Sequence, residues 1–241
     1  MARFTPPIGL GVAFLLTWVV LSYWVGPLVL PHPWTVLLRL GLELQEDLPI
    51  HALSTFGISA LGGVLGAMVA LPLGYFVSHS GLISRAVSPY LAASQAIPAV
   101  ALAPLLVVLF GYGLMPKAML CALMVFFPIT INTSLGFMQL EPDLIGAALV
   151  DGANKVQLLT QIELPLALPA ILAGIRNGLV LSVTGAVVGE FVIGGSGLGY
   201  LLGIYRDRYD TAGVLAVLVA LAMGAIALFE VVRRIERKLQ W

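Results

Sequence analysis

The chain is 241 residues long, and its 12 Lys and Arg balance its 12 Asp and Glu to a formal net charge of zero. Hydrophobic residues make up 60% and charged residues 10%, against roughly 25% charged in a soluble domain, and the mean hydropathy is +1.03. A chain that cannot cover itself with charge has a bilayer as its solvent, so a soluble globular domain is excluded, and the neutral balance argues against nucleic acid as a partner.

The first predicted element is an apolar run from Ile8 to Leu30. It exceeds the roughly 20 residues needed to span, and its bulky end, "SYWVGPLVLPHP", does not resemble a signal-peptide cleavage site. It is therefore expected to stay as a membrane helix with Tyr23 and Trp24 at the interface. Residues 33–47, "PWTVLLRLGLELQED", follow as a short amphipathic helix on the outer surface. Val36, Leu37, Leu40 and Leu44 form its apolar side, with Arg39, Glu43 and Asp47 elsewhere on the wheel. The plainer reading of this piece is a connector resting on lipid headgroups.

Gaps between charges place six spans in all, at about 8–30, 52–78, 87–110, 118–138, 168–191 and 211–231. The architecture expected is all-α: a polytopic membrane protein whose residues 1–50 supply one spanning and one surface helix, and whose residues 51–241 form the transmembrane core. With both termini in the cytoplasm, the inner side collects Arg3, Arg85, Lys155, Arg233, Arg234, Arg237 and Lys238. The outer side then holds Arg39, Lys117, Arg206 and Arg208, a modest bias in the usual direction. The second span carries small residues at every fourth position, Gly62, Gly66, Ala70 and Gly74, which lets another helix backbone come close. Pro72 removes one helical hydrogen bond from the same span and is expected to bend it.

A polar middle interrupts the apolar pattern. After Gln139 the chain reads "LEPDLIGAALVDGANKVQLLTQIELPLALPAI". Asp143 can cap a helix beginning near Leu144. Gly152 marks a break or a close contact, because glycine within a helix costs about 1 kcal/mol relative to alanine. A second helical piece covers Val156 to Ile162, and Pro165 and Pro169 are expected to end it and open the fifth span. A loop of this length with helical spacing, residues 141–165, suits docking into a groove on a cytosolic partner.

The chemistry available to the chain is limited. A phosphate loop of the form G-x-x-x-x-G-K-[ST] is missing, and "GGSGLG" at 194–199 reads as a tight turn or re-entrant segment near a pore mouth. Cys121 stands alone, so an internal disulfide is excluded and the redox compartment stays open. His32, His51 and His79 are not paired at metal-ligand spacing, and isolated interfacial histidines is the plainer reading. Polar groups inside spans are functional suspects by default. Gln95, Asn132 and Glu190 are the candidates for a substrate path, with Thr130, Thr133 and Ser182 behind them. Each also has a plainer reading. Gln95 and Asn132 could bond a neighbouring helix, and Glu190 could be an outer-interface carboxylate held by the Gly194–Gly197 backbone. Arg176 lies about 21 Å from Glu190 along a helix, too far to pair, and is expected to snorkel inward or bond loop carbonyls. Pro98, Pro104 and Pro128 would kink their spans and open backbone toward a cavity.

The polar middle also resembles the loop signature of membrane subunits of ATP-binding-cassette importers: Glu-Ala-Ala, three residues, Gly, nine residues, then Ile, one residue, Leu-Pro. Ala147, Ala148, Gly152, Ile162, Leu164 and Pro165 match, Asp151 lies between them, and Gly146 stands where the family has Glu. That replacement puts the anionic contact of the missing Glu in question; Glu141, Asp143 or Asp151 could take its place. Residues 94–113, 126–136 and 174–202 look like the same family, in the branch that imports nitrate, taurine, alkylsulfonates and thiamine or riboflavin precursors. The "SQAIP" and "EFVIGGSGLGYL" wording is most similar to the pyrimidine-precursor and riboflavin members.

The resemblance implies a permease subunit in a prokaryotic inner membrane and no catalytic residues or cofactor of its own. It implies ATP and Mg on two partner ATPases, an extracytoplasmic solute-binding protein and a second permease copy. The rivals are a passive channel or ion-coupled carrier, which would have no use for the loop signature, and a membrane enzyme, which would need clustered catalytic residues.

Overall fold

The computed structural model describes residues 5–94 and 96–239, and for residues 5–8, 92, 238 and 239 the backbone alone. Every element among them is helical. Four helices are long and apolar enough to cross a membrane, at Leu48–His79, Leu114–Met138, Lys155–Ile193 and Thr211–Arg237. The N-terminal α1 (Thr5–Val25) is about 30 Å long at 1.5 Å per residue and exposes Leu10, Phe14, Leu16 and Val20, a surface suited to lipid.

The expected third span, 87–110, is not one helix. It is split into α4 (Gly81–Ser94) and α5 (Ala99–Phe110), with Pro98 in an extended conformation at the N-cap of α5. Pro98 disfavours the helical region for Ile97 before it, so the chain turns there. α5, with 12 residues, covers only about half the height of a bilayer core.

Three helices make the centre: α3 (Leu48–His79), α6 (Leu114–Met138) and α9 (Leu164–Ile193). Small residues let them touch backbone to backbone, the usual way helices pack where lipid removes the hydrophobic drive. A Cβ on Gly62 would stand 2.3 Å from Cys121 Cβ, one on Gly66 2.5 Å from the Ala122 carbonyl, and one on Gly74 2.6 Å from Thr133 Cβ. Ala70 is fully buried on the same stripe, so the four small residues of α3 all face α6. Gly174 and Gly185 of α9 meet α6 in the same way, against Asn132 and Cys121.

The surface helix α2 (Pro33–Glu43) is more than a plain connector, because one side of it is packed into the fold. Val36 and Leu40 are buried in one cluster with Leu48, Leu198, Leu201, Tyr205, Ala216 and Val217, which joins α2 to α10 (Leu198–Asp207) and α11 (Thr211–Leu239). Leu37 and Leu44, expected on the buried side, are exposed, and Glu43 is turned inward instead. The reason is a set of partners the helical wheel does not contain. Tyr205 Oη donates to Glu43, and Arg39 bridges Glu43 at 3.1 Å and Asp210 at 3.2 Å. Burial, and after it the bond to Glu43, push the Tyr205 hydroxyl up from 10.0 to about 12.

Candidate functional site

The segment between α6 and α9 forms a small projecting unit. α7 (Pro142–Val150) begins with Glu141 at its N-cap and Pro142 at its first position. Asp143 therefore sits in the first turn, favourable to the helix dipole, and is not the cap expected from sequence. The helix stops at Gly152, whose φ of +86° lies in the region that favours glycine. Asn154 then starts α8 (Lys155–Gln157) through a capping box with Gln157.

From there the chain stays helical. A π-helical turn over Leu158–Glu163 leads directly into α9, so Pro165 and Pro169 lie inside the continuous helix Lys155–Ile193 and do not end it. The wider turn explains how proline is accommodated. Leu164 N bonds the Leu159 carbonyl, five residues back, and Pro165, with no N–H to give, follows where the register has already been shifted.

Most of this unit is uncovered. Ala148 is buried, while Gly146, Ala147, Leu149, Asp151 and Gly152 are exposed, and Val150 shows 88% of its surface. A Cβ at Gly146 or Gly152 would meet nothing within 4 Å. Ile162 is half-buried, and Leu164 and Pro165 are exposed. The π turn is anchored from the side by Glu163, which is buried and accepts from His79 Nε2 at 3.3–3.4 Å. His79 ends α3 and stacks on Tyr75 with ring centroids 4.1 Å apart. A displacement of α7 passed to the π turn it packs against therefore reaches α9 through the unbroken helix from Lys155, and α3 through Glu163.

The opposite end of the core is closed. Glu190, expected on the substrate path or on the Gly194–Gly197 backbone, has 0% of its surface exposed. Its Oε2 accepts from Thr55 Oγ1 at 2.8 Å and from Gly199 N at 2.9 Å, and Thr55 in turn accepts from Leu198 N at 2.8 Å. Glu190 and Thr55 thus cap α10 from inside the bundle. Gly197 N donates to His51 Nδ1 at 2.9 Å, and Lys117, 4% exposed, donates to the Gly194 carbonyl at 2.5 Å. The sequence counts Lys117 only as an outer-side charge. It is buried with its ammonium against the Gly194 carbonyl of the turn 194–197. Thr55 and His51 were not singled out from sequence either; the only hint was a hydroxyl and an imidazole one turn apart at the start of a span.

Between the two ends a cavity of about 410 Å³ opens where α4 breaks into α5. Asn132, Phe127, Met124 and Pro128 of α6, Leu102 of α5 and Leu181 of α9 line it, and no charged side chain does. Asn132 Nδ2 donates to the Pro128 carbonyl at 2.8 Å. Gln95 lies outside the described residues. Thr130, Thr133 and Ser182 are buried in the helix seams, where Thr130 bonds the Phe126 carbonyl and Ser182 the Ser59 carbonyl. Among the described residues Arg176 bonds no loop carbonyl. It pairs with Glu236 of α11 at 2.9 Å and lies over the Phe229 ring. Among the described residues no group of His, Cys, Asp and Glu could hold a metal ion.

Comparison with known proteins agrees with this layout. Residues 62–241 match the family model described as "Binding-protein-dependent transport system inner membrane component". The riboflavin transport system permease protein RibX of Chloroflexus aurantiacus is 40% identical over 97% of this chain and 90% of its own length. The formylaminopyrimidine transport permease protein ThiX of Halalkalibacterium halodurans is 33% identical over 92% and 89%. The putative aliphatic sulfonates transport permease protein SsuC of Bacillus subtilis is 33% identical over 93% and 85%. Among solved structures, an inward-facing form of the MetNI methionine ABC transporter superposes with a TM-score of 0.73 at 21% identity, covering 82% of this chain and 98% of that one. This multi-pass membrane chain belongs to the binding-protein-dependent transport system inner membrane component family.

Proposed function

We propose that this chain is the permease subunit of an ATP-driven importer in a prokaryotic inner membrane, with both termini in the cytoplasm. It works as a homodimer, since one chain offers one docking unit and such machines use two ATPases. ATP and Mg bind on those partners and not here. A solute-binding protein delivers cargo to the opposite face. The observation that carries this reading is α7: a short helix with exposed apolar residues, projecting between two spans and packed against the π turn that runs without a break into α9. An apolar surface of this kind outside the bilayer needs a partner to cover it. An ATPase that prefers one arrangement of the two permeases by a few kcal/mol then shifts their populations, and the continuous helix and the Glu163–His79 contact carry that shift into the bundle.

The cargo is a small organic solute, best a riboflavin or thiamine-pyrimidine precursor, as in RibX and ThiX. The uncharged lining around Asn132 and Phe127 supports a neutral aromatic solute over alkylsulfonate, taurine or nitrate, the alternative that SsuC represents. A passive channel or carrier would gain nothing from an exposed α7. Glu190, being fully buried, serves the fold and not the path.

The test is Gly152→Glu. The site has room for a side chain and the positive φ costs only about 1–2 kcal/mol, so the chain is expected to fold, but the added bulk and charge stand where the ATPase seats. Loss of ATPase co-purification with a normally folded permease is the expected result. A Gly152→Glu complex that assembles and transports normally removes the docking assignment.

A further inference from the structure

Among the described residues Lys117 is the one buried cation, and its donors are under-used. An ammonium has three N–H groups to give. Among the described residues its one hydrogen bond goes to the Gly194 carbonyl, and it forms no ion pair. A buried charge is costly unless its donors are met.

Lys117 lines a pocket of about 480 Å³ at the closed end of the core, between α3, α6 and the turn 194–197. Other donors gather at the same pocket. α6 begins there: Gly113 and Leu114 line it, and Gly113 gives the helix no side-chain cap, so its first N–H groups and the positive end of its dipole are left at the pocket. Gly195 and Ser196 also line it, and among the described residues no hydrogen bond engages their N–H groups. A Cβ on Gly195 would stand 3.4 Å from Lys117 Nζ, so the ammonium lies beside this free stretch of backbone. Ser54 and Ser196 share one hydrogen bond of 3.0 Å, and whichever hydroxyl accepts it keeps its own proton to donate. Glu190 does not line the pocket, and its Oε2 is already taken by Thr55 and Gly199.

The rest of the lining is apolar, with Leu53, Leu61 and Leu114 exposed beside the polar groups. Lys117 is the fourth residue of α6 and Ser54 the seventh of α3. Both therefore lie within about 10 Å of the start of their helices, the depth at which hydrocarbon gives way to headgroups.

We propose that this pocket binds a phosphate group carried on an apolar body, with Lys117 as its counter-ion and the Gly195 and Ser196 N–H groups and the serine hydroxyls as further donors. Converging N–H groups, a helix N-terminus and a cation suit an oxyanion and nothing cationic. Two sources carry that chemistry: the headgroup of an anionic phospholipid, with its chains along Leu53 and Leu61, and a free organic phosphate entering from water. The depth of the pocket points to the lipid. The bound group takes donors that Gly194 leaves over, so it adds to the closed end of the core. The site is remote from α7 and from the Asn132 cavity, and it stands whatever the cargo is.

The test uses the complete complex in detergent, with bound molecules counted by native mass spectrometry. The probes are phosphatidylglycerol, digalactosyl diacylglycerol as a lipid without phosphate, and octyl phosphate as a free phosphate ester. The variants are Lys117→Gln, which removes the counter-ion, and Ser54→Leu, which fills the pocket from α3 and leaves Lys117 on Gly194. Wild type is expected to hold phosphatidylglycerol at a concentration at least tenfold lower than either variant, the weight of one charge-assisted hydrogen bond. Digalactosyl diacylglycerol is expected to bind all three alike. If octyl phosphate shows the tenfold difference and phosphatidylglycerol does not, the pocket stands and its phosphate comes from water. A difference of the same size for digalactosyl diacylglycerol overturns the proposal, since the chains and not the phosphate are then recognised. Ser54→Leu binding both phosphates as wild type does overturns it as well, and this variant decides the matter even where Lys117→Gln does not assemble.

Discussion

At one end of the α3–α6–α9 core, Lys117, Glu190, Thr55 and the turn 194–199 bury their polar atoms against one another. At the other, α7 leaves Leu149, Val150 and Asp151 bare. Both ends use glycines at positive φ, Gly197 at +118° and Gly152 at +86°. A Cβ on Gly197 would stand 2.0 Å from Glu190 Cδ, whereas one on Gly152 would meet nothing. The same backbone device therefore serves packing at one end and access at the other. A closed polar network is a structural solution within the chain, though Glu190 Oε1 is left without a hydrogen-bond partner among the described residues. An open apolar surface is half of an interface.

The sharpest way to break this contrast is a pair of alanine substitutions. Gly197→Ala meets both a strained φ and a filled site, and is expected to cost several kcal/mol and to prevent accumulation of folded protein. Gly152→Ala carries the backbone penalty alone, about 1–2 kcal/mol. A thiol-reactive dye reading the opening of the core at Cys121 during heating measures both, since that cysteine is buried and alone. Equal melting temperatures for the two variants would show that the ends do not differ as described.

The contrast also explains what could be foreseen. The projecting unit was legible because its signal is local: Ala147, Ala148, Gly152, Ile162, Leu164 and Pro165 lie within one short stretch and carry the resemblance to the importer loop signature. The glycine stripe of α3 was legible for the same reason. The closed end was not, because its partners come from α3, α6, α9 and α10. Nothing near Lys117 in sequence announces the Gly194 carbonyl, and Arg176 finds Glu236 sixty residues away. The split of the third span was visible only as Pro98, which a charge-free run does not weigh. Pro165 misled in the opposite direction, since a π turn absorbs what an α-helix could not.

A smaller effect is expected where the open end is tied to the core. Glu163→Gln keeps an oxygen that His79 can donate to but removes the charge, while His79→Ala removes the contact and the stack on Tyr75. With the pair partly exposed, each is expected to cost about 1 kcal/mol or less of stability. If Glu163 transmits motion from α7 to α3, both variants keep ATP hydrolysis and lose uptake per ATP several-fold. Uptake and hydrolysis falling in equal proportion would show that the contact only holds the helix in place.

The smallest expected effect concerns Tyr205, which belongs to the closed style of construction. Its hydroxyl ionises at about 12 in the folded chain against 10.0 unperturbed, first because it is buried and then because Glu43 accepts its proton and repels a phenolate. Between those values the folded state holds a proton that the unfolded state has lost. Its contribution is therefore complete below about pH 10 and declines as the pH rises toward about 12. Wild-type melting temperature is expected to fall more steeply between pH 9 and 11 than that of Tyr205→Phe, which has no hydroxyl to ionise. Glu43→Gln should bring the phenolate absorbance of Tyr205 in at lower pH, though not to its ordinary value, because burial remains. An unmoved titration in Glu43→Gln would mean that α2 is held by Val36 and Leu40 alone.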